Sequence, residues 1–249
     1  MTGRSPRAMA AEVERIRRPP AGTGERFSGY GVLGLPFTLG HILAFRRVSA
    51  SSVGPPYTSV WHRDPEGRWT VYADVEPTRS CARYFGAALA RAVATDVQVL
   101  WTADSRLSVS VPEHHLEWAL RVESSPRTRA LNALAASLPD RALGHPWLLD
   151  RFGPLAGRAL EAGPLRFSGR APNGQAFRMV PSRLWTVSAS AAVVRGRDVG
   201  PLGPHAANAR LGDLVLPNRG LFVRQSTWFE RLDPAVHRPA AARAPSRVS

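Results

Sequence analysis

His62 is the side chain of this sequence best suited to acid–base chemistry. It is predicted to lie near the end of a strand, on an apolar face beside Trp69. Burial at that position would lower the pKa of the imidazole and keep the ring neutral enough to accept a proton near pH 7. His41, which opens another predicted strand, is a second candidate for the same role. The alternative interpretation is a histidine at the edge of the core that is hydrogen-bonded to backbone.

A second set of reactive side chains is predicted on the opposite face of the same hairpin. If a ligand cavity lies on that face, Tyr72 and Asp74 would form the acid–base pair. Arg63 or Arg68 would then hold an anionic group of the ligand. A solvated strand face is the alternative interpretation of this pattern.

The hairpin that carries both sets is the clearest local structure in the sequence. It is predicted to run from Tyr57 to Arg63, turn at residues 64–67 and return from Arg68 to Val75. If Arg63 lies opposite Arg68, the pairs on the apolar face are His62 with Trp69, Val60 with Val71, and Thr58 with Ala73.

Several other chemistries are excluded or lack their usual motif. All 33 basic side chains are arginine, so lysine Schiff bases and lysine general bases are excluded. Cys81 is the single cysteine, so the chain has no internal disulfide and no four-cysteine zinc site; we interpret it as a small buried residue on a helix. The sequence contains neither His-Glu-x-x-His nor Gly-x-Ser-x-Gly. The string Gly29-Tyr-Gly-Val-Leu-Gly34 has no hydrophobic strand before it and Pro36 after it, which argues against a nucleotide site. We therefore predict no metal and no cofactor.

The arginine content gives the chain a formal net charge of +14. Residues 27–232 hold 24 of the arginines against 15 acidic residues, and they are scattered along the sequence. A basic surface of this kind attracts polyanions at low salt, but known nucleic-acid readers usually cluster their basic side chains. Arginine in place of lysine, with abundant Ala, Pro and Gly, is also typical of a GC-rich bacterial genome.

The hydrophobic patterning predicts an α+β fold that is mainly antiparallel β, as a barrel or strongly curved sheet built from hairpins and a meander. Thr78 is predicted to cap a helix over residues 79–94, and a helical segment is predicted over 127–162, with a kink or break at Gly153-Pro154. The meander is predicted over residues 97–102, 107–111 and 116–123. Later strands are predicted near 183–194, 212–216 and 220–229.

We predict one β-rich domain over residues 27–232, between flexible tails at 1–26 and 233–249. The alternative is two β modules, 27–123 and 163–232, joined by the helices. Arg26-Phe-Ser-Gly29 recurs as Arg166-Phe-Ser-Gly169, so residues 26–53 and 166–193 resemble a duplicated unit or a chance match. The stretch from Phe27 to Phe45 carries no charge but is rich in glycine, so no transmembrane segment is predicted and a cytoplasmic location is favoured.

Three functions are compatible with this pattern. The first is a small-molecule-binding β-barrel-like protein, whose cavity takes an apolar or amphipathic ligand and is lined by large side chains on alternating strands. The second is a cofactor-free acid–base enzyme on the same scaffold, of the isomerase, hydratase or cyclase type. The third is a protein that binds nucleic acid or an anionic surface through its arginines. The cavity candidates are His62, Tyr72, Trp61, Trp69, Trp118 and Trp185.

Overall fold

The computed structural model describes residues 5–139, 145–204 and 208–238, which form an α+β fold dominated by one curled sheet. The helices are α1 (Pro6–Glu14), α2 (Ala82–Phe85), α3 (Pro126–Ser137) and α4 (Pro146–Ala159), with 3-10 turns at Pro77–Arg79, Gly86–Ala88 and Pro112–His114. The first eight strands are β1 (Glu25–Pro36), β2 (Ile42–Ser51), β3 (Tyr57–Arg63), β4 (Trp69–Ala73), β5 (Arg91–Ala94), β6 (Gln98–Ala103), β7 (Arg106–Val111) and β8 (Leu116–Glu123). The others are β9 (Ser168–Arg170), β10 (Ala176–Val194), β11 (Arg197–Asp198), β12 (Arg210–Leu211), β13 (Leu214–Val215) and β14 (Leu221–Phe229).

The sheet curls until its two edges approach each other. Its strand order is β5-β4-β3-β2-β1-β14-β10-β8-β7-β6, with β9 and β11 paired to β10, and its pairs are antiparallel except for β4 with β5. Strands β5 and β6 end this order on opposite sides, yet only residues 95–97 connect them. Such a connection spans at most about 14 Å. The fold is therefore a half-barrel, which agrees with the predicted barrel or strongly curved sheet.

The curled sheet separates two hydrophobic cores. The inner core joins Tyr72 of β4, Phe45 of β2, Trp118 of β8 and Trp185 of β10, so strands from distant positions in the sheet meet around it. The outer core lies on the other face of β1–β4, β10 and β14. It is covered by α2, α4 and the β12–β13 ribbon, through residues that include Phe85, Leu149, Leu160, Leu211 and Leu214.

The register of the β3–β4 hairpin differs from the prediction by one residue. Arg63 pairs with Trp69, and His62 pairs with Thr70. The turn holds five residues because the Asp64 carboxylate accepts the Arg68 backbone N–H at 2.8 Å, and Gly67 supplies the positive φ of 86° that this turn requires. A shift of one residue moves side chains to the other face, so His62 and Trp69 lie on opposite sides of the sheet.

The helix predicted over residues 79–94 is wrong in its second half. Short helical turns cover residues 77–79 and 82–88, and Cys81 is buried beside them. Residues 91–94 form β5, which pairs with β4 in parallel. The apolar spacing was compatible with a helix, but pairing with a sheet edge is a tertiary contact that overrides local propensity.

The N-terminal segment predicted to be flexible contains α1. Met9 and Val13 on this helix are fully buried in the inner core. Ser5 caps its first turn and Pro6 follows, which is a common helix start. Of the predicted C-terminal tail, residues 239–249 lie outside the described residues, and His237 within the described part is buried against Glu230 at 2.9 Å.

The glycine-rich string at residues 29–34 lies within strand β1. A Cβ atom at Gly31 would lie 2.0 Å from the Phe45 carbonyl oxygen, and one at Gly29 would lie 2.2 Å from that of Arg47. These glycines are required where β1 approaches β2 closely.

The helical segment predicted over residues 127–162 is confirmed over most of its length as α3 and α4. Pro154 lies inside α4 without splitting it. Among the described residues, no helix is long and apolar enough to cross a membrane.

Candidate functional site

A small cavity lies in the outer core, against the outer face of β2 and β3. Its volume is about 40 Å³. Aromatic side chains form most of its wall, and the few polar groups come from Arg46, Tyr57, Cys81, Tyr84 and Thr227. The remaining lining residues are Phe27, Val48, Trp61, Phe85, Phe177, Met179, Leu214 and Phe229.

Arg46 is the cationic group of this cavity. Strand alternation directs Ala44, Arg46 and Val48 toward the outer core, whereas Phe45 faces the inner core. Arg46 is half-buried and lines the cavity. Burial lowers the pKa of its guanidinium, and Cys81 and Tyr57 oppose that shift.

No carboxylate among the described residues lies within 4 Å of the Arg46 guanidinium. Its nitrogen Nη2 lies 3.4 Å from the Met179 sulfur. The Gln225 amide also faces it and accepts from the guanidinium when its oxygen is turned inward. A neutral amide and a thioether satisfy part of the guanidinium's hydrogen-bonding capacity but supply no negative charge.

The neighbouring thiol and phenol are neutral at pH 7. Burial raises the pKa of Cys81 to about 11 and raises that of Tyr57 well above its usual value. The Cys81 sulfur lies 3.5 Å from the Ser59 hydroxyl, which also accepts from the Trp61 indole at 3.2 Å. The cavity therefore combines one cation with neutral hydrogen-bonding groups.

A satisfied ion pair lies at another wall of the cavity. Glu25 accepts two hydrogen bonds from Arg83, at 2.7 and 3.1 Å, and one from the Tyr84 hydroxyl at 2.5 Å. Burial alone would raise the pKa of Glu25, but these hydrogen bonds from Arg83 and Tyr84 lower it. Glu25 is thus fully engaged with Arg83 and Tyr84.

His62 and His41 form a separate pair at the other face of the sheet. The Nδ1 atom of His41 lies 2.8 Å from Nε2 of His62, so one ring donates and the other accepts. Burial, with a smaller contribution from His41, lowers the pKa of His62 to about 4. The exposed fraction of His62 is 3%, whereas His41 is half-buried. The pair connects a buried imidazole to a more accessible one.

The structure distributes the other predicted site residues over several places. Tyr72 faces the inner core and packs against His114, with ring centroids 4.6 Å apart. The Asp74 carboxylate accepts the Thr58 backbone N–H at 2.7 Å. Arg68 is paired with Asp64 and Glu66.

The predicted tryptophans belong to both cores. Trp118 and Trp185 are in the inner core, and Trp61 and Trp69 are in the outer core. Trp61 alone among the ten predicted site residues lines the cavity, while Arg63 and Trp69 line a separate surface cleft.

Sequence reasoning missed Arg46, Tyr57 and Cys81 as cavity residues. One signal was available for Arg46: the Arg46-Arg47 pair interrupts a strand that is otherwise apolar on both faces. Two successive charges in such a strand must each point into a different core.

No family model matches the sequence, and none of the curated proteins does. Among solved structures, the chain is similar to acetoacetate decarboxylase from Legionella pneumophila, with a TM-score of 0.37 and 11% identity over 88% of this chain and 90% of that one. It is also similar to a candidate AttH from Nitrosomonas europaea, with a TM-score of 0.31 and 14% identity over 84% of this chain and 53% of that one. Scores this low give no indication of the function of this protein.

Proposed function

We propose that the protein binds a small organic anion in the outer-core cavity, with the ligand's carboxylate on Arg46. The observation that carries this proposal is an enclosed guanidinium without a carboxylate partner among the described residues. Buried charges in proteins are normally paired, because an unpaired one costs several kcal/mol in desolvation. A ligand carboxylate would supply the missing charge and match the planar guanidinium with two hydrogen bonds.

The size and wall of the cavity restrict the rest of the ligand. A volume of about 40 Å³ holds on the order of three water-sized groups. Phe27, Phe85, Phe177 and Phe229 offer only apolar contacts. The ligand class is therefore a short-chain carboxylic acid with a compact apolar body. The sequence predicted a small-molecule-binding barrel without a defined site; the proposal gives that ligand one cavity and a carboxylate head group.

Titration with matched pairs of ligands tests this function. Acetate and propionate are compared with acetamide and propionamide, which keep the shape but lose the charge. We expect the carboxylates to bind, and the amides to bind at least about tenfold more weakly, since a difference of 1.4 kcal/mol is tenfold. Calorimetry or ligand-observed NMR measures the affinities.

Arg46→Met is the decisive variant, because methionine keeps an unbranched apolar side chain at this position. We expect it to lose the preference for carboxylates. Arg121→Gln is the matched control, since Arg121 is exposed and paired with Glu123 on the outer side of the sheet. Equal binding of acids and amides, or unchanged carboxylate affinity in Arg46→Met, would show that Arg46 is not an anion anchor.

The stability of Arg46→Met separates loss of binding from loss of folding. Without ligand, the substitution removes an uncompensated buried cation, so we expect its free energy of unfolding to equal or exceed that of the parent, by up to about 3 kcal/mol. Denaturant unfolding in ligand-free buffer measures it.

A further inference from the structure

A second, wider cleft opens farther along the same face of β2 and β3. Its volume is about 540 Å³. It is bounded by the ends of these strands, the start of β4, the 3-10 turn at Gly86–Ala88 and the β12–β13 ribbon. Its lining residues are Ile42, Arg63, Gly67, Trp69, Ala88, Asn208, Ala209, Arg210, Leu211 and Gly212.

Two arginines give this cleft a positive charge. Among the described residues, neither Arg63 nor Arg210 has a carboxylate within 4 Å. Arg63 reaches over the hairpin turn, where a Cβ atom on Gly67 would lie 3.1 Å from its Nη2. The neighbouring Arg68, in contrast, is paired with Asp64 at 2.7 Å.

The cleft and the cavity occupy successive positions on one sheet face. Across β2 and β3, Ile42 pairs with Arg63, Ala44 with Trp61, and Arg46 with Ser59. Arg46 is four positions after Ile42 along the strand, a distance of about 13 Å. Trp61 is therefore the large side chain between the cleft and Arg46.

The β12–β13 ribbon covers both spaces. Leu211 and Gly212 line the cleft, and Leu214 lines the cavity. Asp213 at its tip holds the ribbon against β9, because its carboxylate accepts the Arg170 backbone N–H at 2.8 Å and pairs with Arg166 at 3.1 Å.

We propose that this cleft is the entrance to the Arg46 cavity, and that Arg63 and Arg210 form an outer subsite that attracts the ligand carboxylate before it passes Trp61. The inference rests on the proposed function, since it concerns the route to the same site. Positive charges at the mouth of a pocket raise the association rate of an anion, and the effect weakens with salt.

Cys81 provides a direct test, because it is the only cysteine of the chain and lines the cavity. Iodoacetate and iodoacetamide alkylate a thiol by the same step: the thiolate sulfur attacks the methylene carbon, the carbon–iodine bond breaks and iodide leaves, after the thiol proton has gone to solvent. The first reagent is a carboxylate and the second is its neutral amide. The ratio of their rates at pH 9, divided by the same ratio in urea-unfolded protein, measures the preference of the native route for an anion.

We expect a native preference for iodoacetate of at least about fivefold. In the Arg63→Gln/Arg210→Gln double variant, the iodoacetate rate should fall at least threefold while the iodoacetamide rate is unchanged. The difference between parent and double variant should narrow at high salt. Arg121→Gln, at a paired arginine on another surface, should behave like the parent.

Different results overturn different claims. A native preference for iodoacetate that survives in the double variant would show that the ligand enters elsewhere, and the entrance inference would be wrong while the anion site stands. No native preference in the parent would contradict the proposed function itself. A Cys81 that is alkylated only as fast as the protein unfolds would contradict an entrance through this cleft, because both reagents would then reach the thiol only in the unfolded chain.

Discussion

Three arginines near the sheet differ in their partners. Arg47 binds the Glu14 carboxylate at 3.0 Å, and Arg83 binds Glu25 at 2.7 Å. Both pairs tie an element to the sheet, since Glu14 belongs to α1 and Arg83 to α2. Arg46 has no such carboxylate among the described residues, although it lies next to Arg47 in sequence. This difference is the reason why the proposed anion site is placed at Arg46.

His62 should make the stability of the protein depend on pH. Burial and His41 lower its pKa to about 4 in the folded protein, against 6.5 in the unfolded chain. As pH falls below 6.5, His62 takes up a proton in the unfolded chain but not in the folded protein, so the folded state loses stability. This loss ends near pH 4, where His62 becomes protonated in the folded protein too. A shift of this size corresponds to about 3 kcal/mol.

Denaturant unfolding of His62→Gln between pH 7 and pH 4 measures this contribution. The variant should lose less stability over that range than the parent does. His115→Gln, at an exposed position, should keep the full pH dependence. Carboxylates also titrate in this range, but their contribution is common to the parent and the variants and cancels in the comparison. Parallel stability curves for His62→Gln and the parent would show that His62 does not cause the pH dependence.

At the residue scale, the sequence predicted a buried His62, and the structure buries it, although on the face opposite Trp69. Its role in acid–base chemistry stays a prediction. It could not predict His41 as the partner, because that contact depends on how β2 and β3 pair: Leu43, two residues after His41, lies opposite His62. The cavity residues were missed for the same reason. Tyr57 and Cys81 meet Arg46 only after α2 packs on the outer face of the sheet.

Helix α1 is the element that most changes the interpretation of the sequence. Its polar start resembles a tail, but it presents Met9, Ala10 and Val13 to the inner core. Glu14 holds it there, accepting from Arg47 and from the Tyr30 hydroxyl at 3.0 Å. The Ser5-Pro6 start was a local signal for a helix. The place that α1 fills against the inner core, however, exists only because the sheet curls.

Met9→Ala tests whether α1 is part of the folded core. Met9 is fully buried, so truncating it leaves a cavity in the inner core. We expect the free energy of unfolding to fall by about 2–4 kcal/mol. Ala11→Ser changes an exposed position of the same helix and should alter stability by less than about 0.5 kcal/mol. Unchanged stability in Met9→Ala would mean that α1 detaches from the sheet in solution.

The strands and the helices were not equally predictable. The meander of β6, β7 and β8 was located within about one residue, because β8 strictly alternates buried and exposed positions. Strands β1 to β4 are buried largely on both faces, so they lack this alternation. That double burial also hid the one-residue shift in the β3–β4 hairpin, because either register places apolar side chains in a core.

At the scale of the whole molecule, the excess of positive charge has two parts with different physical consequences. Most arginines are on the surface, and several of them are paired, including Arg121, Arg166 and Arg219. Arg46 is enclosed, where salt screens a charge much less than at the surface. The formal charge of +14 thus predicts attraction to polyanions in general, whereas one interior charge predicts selective binding of a small anion.

Salt should separate these two kinds of binding. Double-stranded DNA of random sequence is expected to bind weakly at about 50 mM salt and to be released by about 200 mM, because its binding depends on counterion release from many scattered contacts. Propionate binding should change by less than about threefold over the same range. Fluorescence anisotropy of a labelled duplex and calorimetry of propionate measure the two affinities.

The Arg46→Met variant completes the comparison, because it removes one interior charge and leaves the surface intact. It should lose propionate and retain the parent's affinity for DNA. DNA binding that persists at 200 mM salt and depends on sequence would instead identify nucleic acid as the partner, since scattered phosphate contacts cannot distinguish bases. The cavity is too small to admit a duplex, so Arg46→Met should not affect DNA binding. Loss of both ligands in this variant would therefore contradict the separation of the two kinds of binding. The two affinities must therefore respond independently if the interior guanidinium is the functional charge.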